Sequence, residues 1–128
     1  MKYIILVPVV LIFVACAPAA NSATSSNNRV KSGSCNSGVS CQNIGLSLAS
    51  RYKYKEASKY FKRACEYGAS EGCNNLAFQY ANAEGLKQSY TLAYKYWGMA
   101  CDMGNSSACA NLQLAKDKVE ELRNKKGR

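Results

Sequence analysis

Cysteines recur in this sequence at short, regular spacings, and cysteine side chains can form disulfides, bind metal ions or carry redox chemistry. Six of them form three close pairs: Cys35 and Cys41, Cys65 and Cys73, and Cys101 and Cys109. The last two pairs share an eight-residue spacing and lie 36 residues apart. The chain has no histidine, and the spacings are not those of a zinc site. The sequence therefore predicts disulfides, with no metal site and no cofactor.

The N-terminus has the pattern of an export signal. Lys2 precedes a continuous apolar run over residues 3–15, broken only by Pro8. A run of this length matches the apolar region of a signal peptide and is too short for the roughly 20 residues of a membrane-spanning helix. We expect residues 1–15 to be a signal peptide, and export to an oxidising compartment favours disulfide formation.

The residues after this run predict how the exported chain is processed. Phe13-Val14-Ala15-Cys16 resembles a lipobox, in which the cysteine is acylated, although a plain secretory cut after Ala17-Pro18-Ala19 is an alternative. Residues 16–34 are rich in Ser, Asn and Ala and predict a flexible tether. The expected location is an outer-membrane lipoprotein attached through Cys16 only, or a periplasmic or secreted protein.

The segment around the second cysteine pair is repeated. When residues 54–76 are aligned on 90–112, 11 of 23 positions are identical. A period of this length is typical of helical arrays, in which each unit buries its apolar face against a neighbour. The predicted fold class is therefore all-α, a short α/α solenoid.

Apolar spacing divides the array into two kinds of helix. Ala57, Phe61 and Ala64 lie on one helical stripe, which recurs 36 residues later, and Cys73, Leu76 and Ala77 mark a second kind. We call the second kind A helices and the first B helices. The predicted order is A at 40–50, B at 54–67, A at 71–82, B at 90–103 and A at 107–124.

The turns between B and A helices contain matching residues. Gly68 and Gly104 follow the B helices, where a left-handed residue is favoured, and Ser70 and Ser106 are candidate N-caps. Cys65 and Cys73 then lie across a tight turn, where a disulfide would staple the hairpin. The last unit repeats this arrangement, and Cys35 with Cys41 is interpreted as the same staple reduced to an N-terminal cap.

The final A helix has the polar face of a terminal cap. Gln113, Lys116 and Asp117 replace apolar residues at positions where a further B helix would pack. We therefore predict one repeat domain over 35–128 that ends in a capping helix.

These residues resemble a known family. The matching positions in the two units are Ala57, Phe61, Ala64-Cys65, Gly68, Cys73 and Asn75-Leu76, and Ala93, Trp97, Ala100-Cys101, Gly104, Cys109 and Asn111-Leu112. The pattern is similar to Sel1-like repeats, particularly the disulfide-bearing Helicobacter cysteine-rich proteins. That resemblance implies a secreted or envelope protein, with either β-lactamase activity on penicillins and cephalosporins or an adaptor role in binding peptides.

Serine and lysine strings offer only weak support for an enzyme. Ser50-Arg51-Tyr52-Lys53, Ser34-Cys35-Asn36 and Lys31-Ser32-Gly33 match the three short signatures of serine β-lactamases. Their order is reversed relative to those enzymes, and no strand is predicted to carry the last one. The catalytic residues therefore remain unknown, and whether the chain is an enzyme stays open.

Tyrosines beside cations favour a binding module. The candidate ligand-binding residues are Tyr52, Lys53, Tyr54 and Lys55 in the first unit and Tyr90 and Tyr94 in the second. Aromatic faces near cations suit carboxylated, partly apolar ligands. A structural role for the repeated Tyr54 and Tyr90 is the alternative. Asn75 and Asn111 also recur, and we expect them to bond an adjacent helix end rather than to line the A-helix face.

The function predicted from these patterns is binding by an exported monomer. The formal net charge is +9 for the whole sequence, and removing Lys2 with the signal peptide leaves +8. This charge suits anionic envelope material, with an ordinary solvated basic surface as the alternative, and an exported chain is not expected to meet nucleic acid. The expected partner is a peptide, a muropeptide, a β-lactam-like ligand or an envelope protein. The alternative is a weak β-lactamase.

Overall fold

Five α-helices follow one another as helical hairpins in the computed structural model, which describes residues 34–128. They are α1 (Gly38–Ala49), α2 (Tyr54–Glu66), α3 (Ser70–Asn82), α4 (Tyr90–Asp102) and α5 (Ser106–Lys126). Each helix packs on the next, and α1 also touches α3. The A helices are α1, α3 and α5, and the B helices are α2 and α4. The predicted all-α, disulfide-stapled solenoid is confirmed, and residues 34–128 contain no strand. The predicted signal peptide, Cys16 and all of the tether except Ser34 lie outside the described residues.

The B-to-A turns use the predicted glycines but different N-caps. Gly68 and Gly104 adopt φ of +82° and +90°, the left-handed conformation that glycine tolerates without strain. One extended residue follows each glycine, so α3 and α5 are capped by Ala69 and Asn105. The expectation that Ser70 and Ser106 would cap these helices is wrong, because each is the first helical residue. The Asn105 side chain accepts a hydrogen bond from the Ala108 N–H at 2.9 Å.

The core consists of alanines between a few large aromatic rings. Phe61 and Trp97, which the repeat places at equivalent positions, are each 3% exposed. Between the units, the Tyr80 and Tyr96 rings stack with their centroids 5.8 Å apart. Small residues allow the helix backbones to approach closely. A Cβ added to Gly72 would lie 2.5 Å from the Ala64 Cβ, so α3 contacts α2 through glycine.

Disulfides close each A-helix N-terminus. The bonded pairs are Cys35–Cys41, Cys65–Cys73 and Cys101–Cys109, with Cα–Cα distances of 4.9, 4.6 and 4.7 Å. Two of the three link a B helix to the A helix after it, as the hairpin spacing predicts. Disulfides persist in oxidising surroundings, so these bonds indicate an extracytoplasmic compartment. Among the described helices, none combines the length and apolar character needed to cross a bilayer.

Candidate ligand-binding groove

A groove lies between α1 and α3, with α2 beneath it. Its volume is about 280 Å³. Phe61 of α2, itself almost fully buried, also lines it. Leu46, Ala49, Tyr54, Asn75, Phe78, Gln79, Asn82 and Glu84 complete the lining. The groove therefore combines apolar surface, three carboxamides and one carboxylate.

The same pair of residue types recurs along the A helices. Asparagine is followed three residues later by a large apolar residue in Asn43 and Leu46, Asn75 and Phe78, and Asn111 and Leu114. Residues three apart lie on the same helix face. All three apolar members are exposed, at 45%, 38% and 68% along the chain. Of these three side chains, Leu46 and Phe78 line the groove, which places exposed apolar surface of α1 and α3 in one site.

Gln79 forms part of the groove lining and is a buried polar residue. It is 2% exposed, and its Nε2 donates to the Tyr54 carbonyl oxygen at 3.1 Å. A carbonyl can only accept, so this contact fixes which end of the amide faces Tyr54. Within residues 34–128, the Gln79 Oε1 has no hydrogen-bond partner. An unpaired buried acceptor is costly, so a donor that reached this oxygen would be favoured.

Phe78 is held in place from the second unit. Its ring meets Trp97 edge-on with centroids 5.3 Å apart. The Trp97 Nε1 in turn donates to the Asn74 Oδ1 at 3.0 Å. Packing against Trp97 thus fixes the Phe78 ring, while 38% of the residue stays exposed. A positioned, partly exposed aromatic ring is suited to contact a ligand side chain.

The loop after α3 crosses the start of α2. Gly85 adopts φ of +70°, and a Cβ there would collide with the backbone of Tyr54 and Lys55. This close approach requires glycine, and it brings the loop to the end of the groove where Glu84 lines it. Leu86 packs against the cluster around Phe61. The loop is therefore a packed wall of the groove.

The predicted ligand-binding residues of the first unit occupy different environments. Tyr54 is half-buried and lines the groove. Tyr52 is 81% exposed, adopts φ of +60° and meets the Tyr54 ring edge-on at 6.1 Å. Lys53 pairs with Glu56 at 3.9 Å, and Lys55 is exposed. Only Tyr54 of these four belongs to the groove lining.

The predicted residues of the second unit lie elsewhere. Tyr90 is half-buried against the α4–α5 core, and its hydroxyl accepts from the Gln88 Nε2 at 3.4 Å. Tyr94 is 40% exposed and lines a separate depression with Lys116 and Arg123 of α5. The structure thus does not join the two sets of tyrosines into one site.

The serine strings have no catalytic geometry where they are described. The Ser50 hydroxyl donates to the Ser47 carbonyl at 2.9 Å, while Lys53 is engaged by Glu56. Asn36 accepts from the Ser40 hydroxyl at 3.4 Å at the start of α1. The Lys31-Ser32-Gly33 string lies outside the described residues. In the described part of the chain, no group of three His, Cys, Asp or Glu side chains is placed to hold a metal ion.

Sequence reasoning missed most of the groove. Asn75 lines it, and the helix-end bond expected for Asn75 is absent from the hydrogen bonds of residues 34–128. The sequence patterns also do not mark Leu46, Phe78 or Gln79 as candidates. The sequence does contain a signal, the Asn43-x-x-Leu46 pattern that recurs on the later A helices. The first two A helices are offset by 32 residues, so an alignment of the sequence on itself with a 36-residue shift does not show it.

Comparison with known proteins gives one short similarity. A stretch of 34 residues is 47% identical to the Helicobacter pylori protein HcpE, whose name carries a provisional β-lactamase designation, in strains 26695 and J99. The stretch covers 27% of this chain and 10% of that protein. No protein-family model matches the chain, and no solved structure matches it significantly. The similarity is therefore to a short part of HcpE, and the chain matches only a small share of that protein's length.

Proposed function

We propose that the protein is an extracytoplasmic binding module whose groove between α1 and α3 takes an extended, peptide-like ligand. The observation that carries this proposal is the pairing of carboxamides with exposed apolar side chains in the groove. Asn75 and Asn82 provide amides, and Leu46 and Phe78 provide apolar surface.

The chemistry of a peptide fits this pairing. An asparagine side chain has both a donor and an acceptor, as does each peptide unit of an extended backbone. Side chains of an extended peptide alternate between two sides, so those on one side can pack on Leu46 and Phe78. Peptide recognition by an exposed surface commonly combines such backbone bonds with side-chain pockets.

The carboxylate at one end of the groove restricts the ligand further. Glu84 is half-buried, and no ion pair holds it within residues 34–128. A free amine on the ligand would pair with it. Cell-wall stem peptides carry amines, carboxylates and small apolar side chains, so we favour muropeptides among peptide ligands.

Anchoring at the cell envelope is part of the proposal. Acylation of Cys16 would tether the repeat domain to a membrane through residues 16–34, within reach of cell-wall material. Cys16→Ala should abolish lipid labelling of the chain and prevent processing at that position. Normal processing of this variant would support the secretory cut.

Nuclear magnetic resonance tests the groove directly. Soluble stem peptides released from digested peptidoglycan are titrated into the oxidised protein. The side-chain amide signals of Asn75, Gln79 and Asn82 should shift, while that of Gln113 on α5 should not. Shifts confined to the Tyr94 region, or no shifts at millimolar peptide, would contradict the proposal.

β-Lactam hydrolysis is the second candidate, and the name of HcpE is what favours it. The Ser50 hydroxyl and the Lys53 amine have other partners, so they offer it no support. If purified protein turns over nitrocefin, Ser50→Ala should hydrolyse it at the wild-type rate. Loss of a robust rate in a folded Ser50→Ala protein would instead make the serine a nucleophile.

A further inference from the structure

The three disulfides differ sharply in exposure. Cys35, Cys41, Cys65 and Cys73 are each at most 4% exposed. By contrast, Cys101 is half-buried and Cys109 is exposed. The bond at the α4–α5 turn is therefore the accessible one among the three that the structure describes.

The repeat packing explains the difference. Cys35 and Cys41 share a buried cluster with Ala64 of the next hairpin, and Cys65 and Cys73 share one with Ala100 and Ala108 of the hairpin after that. Each staple is thus covered by the unit that follows it. Cys109, in contrast, belongs to none of the buried clusters of residues 34–128.

We propose that Cys101–Cys109 is a reversible thiol-exchange site that reacts with small thiols and with dithiol reductants. Exchange requires a thiolate to reach a sulfur atom of the disulfide, so access decides which bond reacts. The incoming thiolate attacks the sulfur of Cys109, the more exposed residue of the pair, a mixed disulfide forms there, and Cys101 leaves as a thiolate that takes up a proton. A second thiol of a dithiol reagent then attacks the mixed disulfide, which frees Cys109 and leaves the reagent oxidised.

The hairpin would survive this reaction and keep the two thiols together. The Gly104 N–H donates to the Cys101 carbonyl at 2.9 Å, and the Asn105 N–H donates to the Ala100 carbonyl at 3.0 Å. Ala108 and Ala115 are buried in the core cluster that α5 shares with α4. None of these contacts needs the disulfide, so reduction leaves the cysteines as neighbours that can be oxidised again.

Graded reduction of the full oxidised protein tests the site. Dithiothreitol is added at 25 °C, samples are alkylated at intervals, and peptides are mapped by mass spectrometry. Cys101 and Cys109 should be alkylated at least about tenfold faster than the other four, with unchanged far-ultraviolet circular dichroism. In a separate sample treated with glutathione and no dithiothreitol, the glutathione adduct should be found on Cys109. The double variant Cys101→Ser with Cys109→Ser should lack the fast phase. Equal rates at all three bonds, or faster reaction at a buried pair, would overturn the proposal.

Discussion

The Gln79 side chain donates from its Nε2 to the backbone carbonyl of Tyr54 at 3.1 Å, which joins α3 to the first residue of α2. Gln79→Glu keeps the shape and replaces the donor with a carboxylate. At pH 8 the variant should lose about 3 kcal/mol or more of unfolding free energy, because a buried charge then faces a carbonyl oxygen.

Lowering the pH should restore the stability of this variant. Burial without a cation raises the pKa of the introduced carboxyl group in the folded state above its unfolded value near 4.3. The deficit is thus absent below pH 4 and grows as pH rises toward 8. Denaturant unfolding at both pH values measures it. Gln42→Glu, on α1, should change stability by less than about 1 kcal/mol. An equal deficit at both pH values would mean that the carboxylate is not buried.

Two helical glycines should respond oppositely to alanine. A Cβ at Gly72 would lie 2.5 Å from the Ala64 Cβ and 2.9 Å from the Cys65 nitrogen, so α2 and α3 must move apart. Gly72→Ala should cost about 1–3 kcal/mol by overpacking. Gly98 has only the Leu112 Cδ1 nearby, at 3.7 Å, so Gly98→Ala should stabilise by about 0.5–1 kcal/mol. Thermal unfolding distinguishes them, and a neutral Gly72→Ala would refute the close contact.

Glu121 accepts from two lysines on the exposed face of α5. Lys118 and Lys125 donate to it at 2.7 and 2.6 Å, and these bonds lower its pKa to about 2. Because the pKa of Glu121 is lower in the folded state than in the unfolded chain, its carboxylate stabilises α5 at pH values above the ordinary pKa of 4.5. That contribution is lost as the pH falls through about 2. The effect on stability is small at an exposed site, so carboxyl NMR titration is the measurement. Lys118→Met with Lys125→Met should return the pKa toward 4.5, whereas Lys116→Met should not.

The sequence predicts the scaffold well because the residues that repeat are those that pack one unit against the next. The repeated alanines and cysteines lie where units touch, so the five helices and the disulfides could be expected within a few residues. The predicted N-cap Ser70 is one residue too late, because the N-cap is Ala69 and alanine has no side-chain oxygen that would mark it as a cap in the sequence.

The groove was less predictable because its lining residues do not form a single apolar stripe that recurs along the sequence. Gln79 has Ala115 at the equivalent position of α5, so no repeat marks it. Its role depends on the backbone position of Tyr54, which only the fold supplies. Tyr54 was identified from its aromatic character, but Tyr90 and Tyr94 share that character and lie outside the groove.

Two substitutions on one helix test the binding groove most directly. Leu46 lines the groove, whereas Val39 is 70% exposed on α1 and does not appear in its lining. Calorimetric titration with purified stem peptides should show at least about tenfold weaker binding for Leu46→Lys, roughly 1.4 kcal/mol, and wild-type binding for Val39→Lys. Both proteins should show the same thermal unfolding. Equal affinity of the folded Leu46→Lys and Val39→Lys proteins would contradict peptide binding between α1 and α3.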